Sequence, residues 1–376
     1  MSDNVLYITL DNTTSLNAAL NDPHGFVHHQ QALMVIDEIQ RAPILLTAIK
    51  QEVDEHQVVG RFLLTGSANI QSLPGVNESL AGRVSKIRLR PLTQGELHKT
   101  SPHWTANVLA QQFDNYRSVC ATHPANKDDY LLLALGGGYP EALRLQDINK
   151  QRRWHIDYVT AILERDLQDI LNIKRKDSLR QLLDGLAAWS GKFMDVAAIG
   201  SNLGLSRPTL QSYLNALETL YLVERVPAWH NTDYGRLAKR DKLFMTDTGL
   251  MSALLKWQLD NIKLNGELNG KLLETFVFNQ LAAILEAQPT EHRLYHYRDR
   301  EQREVDFIIE NAEGDLIGVE VKAGSAINQN SFKHLHWFKN NIIKHQNFIG
   351  IVLYTGQYVV RFGENMWALP IQTLWC

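Results

Sequence analysis

The chain has 376 residues, and its 38 Lys and Arg against 41 Asp and Glu give a formal charge of −3. Apolar residues make up 44% and charged residues 21%, proportions typical of a globular protein that is large enough for two or three domains. The near-neutral balance excludes a surface that binds nucleic acid all over, although it permits a local basic patch.

Membrane-spanning and disulfide-stabilised classes are also excluded. No stretch approaches the about 18–20 uncharged apolar residues of a membrane span, and the N-terminus lacks the pattern of a signal peptide. The two cysteines, Cys120 and Cys376, are too few for a disulfide framework or a cysteine-rich zinc site. We therefore expect a cytoplasmic protein with no membrane partner.

Short apolar runs separated by helical patterns fill residues 1–97. The runs Val5–Leu10, Ala32–Ile36 and Arg61–Thr65 predict strands, and the strictly alternating Lys86–Arg90 predicts a half-exposed fourth strand. The connections between these runs are long enough for a helix or a crossover. This spacing predicts a parallel α/β sheet.

Two acids, Asp37 and Glu38, follow the second predicted strand directly. In a nucleotide hydrolase such carboxylates lie at the carboxyl edge of the sheet, where open α/β folds bind their ligands. Asp37 would hold a magnesium ion through water, and Glu38 would orient the attacking water. Many buried strands also end in an acid, so this motif alone is weak.

Two further segments follow in the order that a nucleotide site requires. Leu64-Thr65-Gly66-Ser67-Ala68 ends the next predicted strand, and Ser79-Leu80-Ala81-Gly82-Arg83 comes after it. Together with Val35-Ile36-Asp37-Glu38-Ile39-Gln40-Arg41, they resemble a prokaryotic family of AAA-type ATPases. In that family the ATPase is fused to a winged helix and a C-terminal nuclease-like domain, and the resemblance extends over nearly the whole chain.

The resemblance implies roles for five residues at this site. Asp37 and Glu38 match the magnesium and hydrolysis acids, and Ser67 or Asn69 matches the sensor position. Arg83 matches a phosphate-sensing arginine, for which a surface salt bridge is the alternative.

The phosphate loop of the family is missing from this sequence. No Gly-x-x-x-x-Gly-Lys-Ser/Thr occurs in the chain, and in the family this loop precedes the segment that matches Tyr7–Asp11. The loop's N–H groups and its lysine supply most of the affinity for phosphate. We therefore expect that this polypeptide does not bind ATP usefully, and that it is N-terminally truncated by a misassigned start or a decayed gene.

The missing strand has a structural consequence that the resemblance also implies. In AAA-type sheets the first strand lies beside the one that matches Arg61–Thr65, and its loss would leave backbone groups of Lys86–Leu89 unpaired. We expect this region to be poorly stable, or to be completed by a protein partner or by a second copy of the chain.

A helix–turn–helix pattern lies in the middle of the chain. Asp195–Asn202 predicts a short helix, and Ser206–Leu220 predicts a second helix with Ser206 as its N-cap. Tyr221–Val226 follows as a wing strand. This order matches a winged helix at about residues 177–228.

The second of these helices presents a polar face that would contact DNA bases. A basic loop after the wing would add phosphate contacts. The alternative is a winged helix that packs between domains without binding DNA. The residues of the polar face are Arg207, Thr209, Gln211 and Ser212, and those of the loop are Arg236, Lys239, Arg240 and Lys242.

Near the C-terminus, the predicted strands Glu304–Glu310 and Gly318–Lys322 flank a turn. If the hairpin turns about Glu313, Asp306 and Glu320 face each other across the two strands. Two facing carboxylates repel each other, and a divalent cation would remove this conflict.

The spacing Asp…Glu-x-Lys resembles the PD-(D/E)xK superfamily of restriction-endonuclease-like nucleases. It implies that Asp306 and Glu320 bind Mg²⁺ or Mn²⁺ and that Lys322 stabilises the attacking hydroxide or the charge of the transition state. Glu274, on the preceding helix, would complete the metal shell or orient a ligand. The alternative is a surface ion pair between Glu304 and Lys322, with the two facing acids solvated and free of metal.

The expected fold is a multidomain α/β protein in three parts with one linker. An incomplete P-loop-type parallel sheet spans residues 1–97, and a linker spans 98–128. A helical region with the winged helix covers 129–260, and a restriction-endonuclease-like α/β domain covers 261–376.

The leading functional prediction is metal-dependent cleavage of DNA, normally governed by ATP. The first alternative is an ATP-hydrolysing regulatory protein, which requires a phosphate loop upstream of this sequence. The second is a non-catalytic module that binds DNA or protein.

Overall fold

The structure is a computed structural model that describes residues 4–67, 82–100, 103–170, 176–194, 196–232, 240–343 and 347–376. Its contacts divide the chain into two compact units. The region 129–260, predicted as one helical part, contributes residues to both units. The first unit contains residues 1–89, 159–180 and 206–222, and the second contains residues 90–158, 181–205 and 223–376.

Strands alternate with helices at the start of the first unit, as the apolar runs predict. The three strands pair in parallel in the order β1-β2-β3, which confirms the predicted parallel α/β sheet. The elements are β1 (Val5–Thr9), α1 (Thr13–Asn21), α2 (Pro23–Val27), β2 (Leu33–Asp37), a 3-10 helix (Ile39–Arg41), α3 (Leu45–His56) and β3 (Phe62–Leu64).

The fourth predicted strand, Lys86–Arg90, is wrong, because this segment forms no strand. Lys86 and Arg88 lie over the ring of Tyr221, at 5.4 and 4.6 Å from its centroid. The two apolar side chains that alternate with them, Ile87 and Leu89, are 82% and 92% exposed. The period of two therefore reflects basic side chains stacked on one aromatic ring, not a strand paired through its backbone.

The middle of the chain is mostly helical. None of the helices in the described ranges is long and apolar enough to cross a membrane. The elements are α4 (Gln94–His98), α5 (Trp104–Leu109), α6 (Asp114–Thr122), α7 (Lys127–Gly136), α8 (Pro140–Leu143), α9 (Ile148–Ile170), α10 (Lys176–Trp189), β4 (Lys192–Phe193), α11 (Val196–Leu203), α12 (Arg207–Thr219), β5 (Val223–Val226), β6 (Lys242–Met245), α13 (Thr248–Leu254) and α14 (Leu259–Lys263).

Residues 98–128 are not the irregular linker that their polar composition predicts. They contain α5 and α6, whose side chains Trp104, Val108 and Tyr116 are buried. These helices are too short to show a clear period of 3.6 in the sequence. Their few large apolar residues were enough to anchor them in the second unit.

The helix–turn–helix segment contains both predicted helices, α11 and α12. Ser206 caps α12, because its Oγ accepts a hydrogen bond from the backbone N–H of Thr209 at 3.3 Å. The apolar stripe of α12 is buried and consists of Leu210, Tyr213, Leu214, Leu217 and Leu220. The winged-helix arrangement itself remains a prediction.

The C-terminal elements form a six-stranded mixed sheet in the order β11-β12-β10-β9-β8-β7. Strand β10 pairs in parallel with β9 and β12, and the other pairs are antiparallel. The elements are α15 (Gly266–Glu286), β7 (His292–Arg298), β8 (Glu304–Asn311), β9 (Leu316–Lys322), a 3-10 helix (Gln329–Phe332), α16 (Lys333–Asn341), β10 (Phe348–Tyr354), β11 (Val360–Gly363), β12 (Met366–Pro370) and a 3-10 helix (Ile371–Trp375).

Aromatic packing joins β6 to this C-terminal region. Strand β6 is the middle strand of a small antiparallel sheet, β4-β6-β5. The ring of Phe244 on β6 stacks on Phe278 of α15 with 4.4 Å between centroids, and it lies 5.6 Å from Phe307 of β8. These contacts place β6 beside the hairpin that carries the predicted metal-binding acids.

Candidate metal centre

The hairpin of β8 and β9 has the predicted register. Phe307 pairs with Val319 in an antiparallel ladder, which corresponds to a turn centred on Glu313. Continued by one residue, this register sets Asp306 opposite Glu320. The predicted juxtaposition of the two carboxylates is therefore present.

Hydrogen bonds and an ion pair hold the three predicted side chains at this end of the hairpin. The Oδ2 of Asp306 accepts a hydrogen bond from the backbone N–H of Val321 at 2.8 Å. The Nζ of Lys322 donates to the Oε2 of Glu320, also at 2.8 Å. The other carboxylate oxygen of Glu320 is buried and has no hydrogen-bond partner, so it is available to a ligand.

A lysine that the sequence analysis placed in a DNA-binding loop lies at the base of this site. Lys242 is on β6, and its side chain is 1% exposed. Its Nζ lies 2.6 Å from Glu274 Oε1, 2.7 Å from Glu304 Oε1 and 3.7 Å from Asp306 Oδ1. The predicted phosphate contact is therefore wrong for Lys242, because a buried ammonium group cannot reach DNA.

The predicted surface pair between Glu304 and Lys322 is also replaced. Glu304 binds Lys242, and Lys322 binds Glu320. The sequence signal that could have revealed this arrangement is an excess of acids over lysines near the hairpin, together with a lysine that opens the apolar run 243–245.

Burial and the neighbouring acids act on the Lys242 ammonium in opposite directions. Burial lowers the pKa of Lys242, but the carboxylates around it outweigh burial, so the pKa is raised and the group stays charged. The rings of Phe193 and Phe244 lie 5.6 and 5.8 Å from its Nζ. These rings shield the ammonium group from water, which strengthens its attraction to the carboxylates.

Two of the carboxyl groups bind protons unusually tightly. Burial, reinforced by Asp306, raises the pKa of Glu320 to about 8. Burial also raises the pKa of Glu274 to about 7, against the opposing effect of Lys242. When ionised, the four carboxylates (Glu274, Glu304, Asp306, Glu320) and two lysines (Lys242, Lys322) carry a net charge of −2. The charge of one divalent cation would balance this cluster.

The structure does not gather all three acids predicted to bind the metal. Within the described ranges, one group of three His or carboxylate side chains has ligand atoms within 4.8 Å of one another, and it lies on α3. Glu274 instead binds Lys242, which leaves Asp306 and Glu320 as the acids that face each other across the hairpin. The group on α3 consists of Glu52, Glu55 and His56.

The basic loop after β7 is partly held by packing. The guanidinium of Arg298 lies 4.2 Å from the ring centroid of Phe193, and that of Arg303 lies 4.0 Å from the ring centroid of Trp337. Arg300 is exposed. Of the three arginines in residues 298–303, Arg300 is thus the exposed one, and the other two are half-buried.

In the first unit, Asp37 ends β2 at the carboxyl edge of the sheet. Thr65 donates a hydrogen bond to its Oδ1, and the Tyr7 hydroxyl donates to its Oδ2 at 3.0 Å. These hydrogen bonds, with that of Thr65 first, lower the pKa of Asp37. The acid is therefore held ionised and oriented at the edge where parallel α/β sheets bind ligands.

Glu38 and Ser67 meet at the same edge through a glutamine. The side-chain amide of Gln40 donates to Glu38 and, at 3.0 Å, to the Oγ of Ser67. Glu38 itself has φ of 59°, in the left-handed region, which turns the chain sharply after the strand. The structure thus places Asp37, Glu38 and Ser67 at the same edge of the sheet, and their roles in a nucleotide site stay a prediction.

The structure does not place the two remaining residues of the predicted nucleotide site, Asn69 and Arg83, at this edge of the sheet. Asn69 lies outside the described residues. The Nη2 of Arg83 donates to Asp54 Oδ2 at 3.2 Å, near the end of α3. Because α3 returns from the carboxyl edge after β2, its end lies towards the opposite edge of the sheet. This contact is the surface salt bridge of the alternative interpretation.

The predicted DNA-reading face of α12 is accessible only in part. Arg207 and Ser212 are exposed, whereas Thr209 and Gln211 are half-buried. Gln211 donates a hydrogen bond to Asn215 on the same helix at 2.9 Å. Arg236 and Lys239 of the predicted basic loop lie outside the described residues.

Three family models match successive parts of the chain. Residues 1–98 match a model described as an AAA domain. Residues 127–261 match the domain of unknown function DUF8612, and residues 269–374 match the domain of unknown function DUF4143. Lys242 thus falls in a different matched segment from the acids that it binds.

The chain is also similar to proteins of other organisms. It is 29% identical over 309 residues to the uncharacterized proteins Mb2031c of Mycobacterium bovis and Rv2008c of Mycobacterium tuberculosis, covering 81% of this chain and 62% of each relative's length. It is 24% identical over 332 residues to the uncharacterized protein MJ1544 of Methanocaldococcus jannaschii, covering 84% of this chain and 68% of that protein.

One solved structure, that of protein VC1899 from Vibrio cholerae, aligns over 99% of this chain and 95% of its own. Its 11% identity and TM-score of 0.23 are too low to indicate a shared fold. The family models thus show that residues 1–98 are similar to an AAA domain and that residues 269–374 are similar to the DUF4143 domain.

Proposed function

We propose that this protein is a metal-dependent DNA nuclease whose active site lies at the β8–β9 hairpin. The observation that carries the proposal is the buried Glu320 Oε1, which has no hydrogen-bond partner and lies opposite Asp306 with Lys322 alongside. A buried carboxylate oxygen without a partner is costly. A bound cation would compensate that cost.

The residues present fit a magnesium or manganese ion. Asp306 and Glu320 offer carboxylate oxygens, the donor type that these hard cations prefer. When its four carboxyl groups are ionised, the net charge of −2 over the cluster attracts a divalent ion. We assign Asp306 and Glu320 as the ligands, while Glu274 supports the site through Lys242.

Each side chain then has a distinct task. The ion would polarise a phosphate oxygen and lower the pKa of a bound water. Asp306 is fixed for this task by the backbone N–H of Val321. Lys322, whose side chain is 40% exposed, is positioned by Glu320 at the mouth of the site. There its ammonium group stabilises the negative charge that develops on the phosphate.

DNA is the proposed substrate because the accessible basic groups suit a phosphate backbone. Arg300 is exposed on the loop after β7, and Arg207 is exposed at the start of α12. Phosphate contacts of this kind position a duplex without reading its sequence. We retain Arg207, Thr209, Gln211 and Ser212 as the proposed DNA contacts of α12.

Metal removal tests this proposal directly. The full chain is incubated with plasmid and linear DNA in Mg²⁺, in Mn²⁺ and in EDTA. We expect cleavage with either ion and none in EDTA, because the carboxylates alone cannot activate water. Cleavage that persists in EDTA, or no cleavage with either ion at any DNA form, would contradict the proposal.

An ATP-dependent regulatory role is the second candidate. It is favoured by the AAA-domain match of residues 1–98 and by the oriented Asp37 at the sheet edge. Titration of the chain with ATP and Mg²⁺, alongside Asp37→Ala, tests it. Binding that Asp37→Ala weakens tenfold or more supports this role, whereas no binding fits the absence of a phosphate loop from these 376 residues and opposes it.

A further inference from the structure

The Lys242 ammonium group occupies a position between carboxylates that resembles a cation site. We propose that Lys242 permanently fills the second cation position of the metal centre, so that this nuclease-like site takes one divalent ion and not two. This inference rests on the proposed function, because it concerns the ion that Asp306 and Glu320 would bind. It assigns Lys242 as a positioning residue, since it touches the ligand Asp306 but not the substrate.

The contacts of Lys242 are those expected of a bound cation. Its Nζ is 2.6 and 2.7 Å from oxygens of Glu274 and Glu304, and 3.7 Å from Asp306 Oδ1. Two-metal phosphodiester enzymes hold their ions about 3.5–4 Å apart and share a carboxylate between them. Here Asp306 lies between the ammonium of Lys242 and the carboxylate of Glu320, in the place of such a shared ligand.

Lys242 cannot be displaced easily by a free ion. Its side chain is 1% exposed, and its Nζ lies against the rings of Phe193 and Phe244. An ammonium group pushed off its carboxylates would remain inside this apolar surrounding without a partner, which is strongly unfavourable. The side chain is also anchored through β6, the middle strand of its sheet.

The charge of the cluster also indicates that the site binds one divalent ion. With Lys242 and Lys322 in place, the four carboxyl groups leave a net charge of −2 when all of them are ionised, and one divalent ion neutralises this charge. Without Lys242, three of these carboxylates (Glu274, Glu304 and Asp306) would face one another with no cation among them. That vacated position has the oxygen donors that Mg²⁺ and Mn²⁺ prefer.

Counting bound Mn²⁺ tests the inference without any activity assay. The number of ions per chain is measured by equilibrium dialysis and by the electron paramagnetic resonance signal of free Mn²⁺, at pH 8, on the full chain. We expect one ion for the wild type, one for Lys242→Arg and two for Lys242→Met. Lys322→Met is the matched control, since it removes a lysine from the same cluster but frees no enclosed position, and we expect it to bind one ion.

The outcomes separate this inference from the proposed function. Two ions on the wild type, or one ion of equal affinity on both the wild type and Lys242→Met, would overturn the inference and leave the nuclease proposal intact. No Mn²⁺ on the wild type at millimolar concentration would overturn both. The wild-type count remains decisive if circular dichroism shows that Lys242→Met does not fold.

Discussion

Replacing Asp306 with asparagine is expected to reduce metal-dependent DNA cleavage by about a thousandfold. The change removes one negative charge from the proposed metal ligands, and a lost metal contribution of several kcal/mol corresponds to about this factor in rate. Asparagine keeps an oxygen that can accept the hydrogen bond from Val321, so the hairpin is expected to stay folded. The measurement is the rate of plasmid nicking under saturating Mg²⁺ and Mn²⁺.

The matched control for this variant is Glu313→Gln. Glu313 is an exposed acid in the turn of the same hairpin, and its amide variant is expected to cleave DNA at the wild-type rate. Equal rates for the wild type, Glu313→Gln and Asp306→Asn would remove Asp306 from the mechanism. A thermal melt of each variant shows whether a lost rate reflects chemistry or unfolding.

Replacing Lys242 with methionine is expected to destabilise the metal-free chain by about 3–5 kcal/mol, the cost typical of removing one partner from a buried ion pair. Methionine fills the space of the lysine's carbon stem and lacks only an atom at the Nζ position, so the loss of stability comes mainly from the lost charge and not from a large cavity. Glu274 and Glu304 would be left near an apolar wall without their cation. Urea unfolding in EDTA measures the difference in the free energy of unfolding.

The destabilisation caused by Lys242→Met is expected to grow as the pH rises. Burial already raises the pKa of Glu274 to about 7, and loss of the adjacent ammonium raises it further. The folded variant therefore holds a proton that the unfolded chain releases near its ordinary pKa. Stability is retained at pH 5 and is lost as the pH rises through the folded pKa, towards pH 8. A destabilisation that is the same at pH 5 and pH 8 would contradict this account.

Lys263→Met is the matched control for the lysine variant. Lys263 pairs with Asp128 on the surface, and its side chain is 47% exposed. An exposed ion pair contributes about 0–1 kcal/mol, so this variant is expected to unfold at nearly the wild-type urea concentration. If Lys263→Met lowered the free energy of unfolding as much as Lys242→Met does, burial of the ion pair would not be the cause of the destabilisation.

The local sequence pattern was sufficient to predict those helices and strands that have a clear hydrophobic period and a clear end. The strands around Asp37 and Asp306 follow from short apolar runs, and α12 follows from its N-cap, Ser206, and its apolar stripe. The opposition of Asp306 and Glu320 needed only the period of two and a turn centred on Glu313. Such features depend on residues close in sequence, which is why they can be read from it.

Contacts between distant segments decided the rest. Residues 98–128 have the composition of a linker, but Trp104 and Tyr116 are buried in a core. Lys86–Arg90 alternates like a strand, but Lys86 and Arg88 lie over the ring of Tyr221 and the segment forms no strand. Lys242 lies 32 residues before Glu274 and 62 before Glu304. No periodic pattern in the sequence relates Lys242 to these two acids, because they are too far apart along the chain.

The sequence by itself determined which residues lie together at the end of the hairpin, namely Asp306, Glu320 and Lys322, to which we assign the proposed chemistry. Only the tertiary structure decided that Lys242 completes their electrostatic environment and that Glu274 binds this lysine. The physical reason is that a charge is tolerated in the interior only where opposite charges meet it, and that meeting depends on how β6, α15 and β8 pack together.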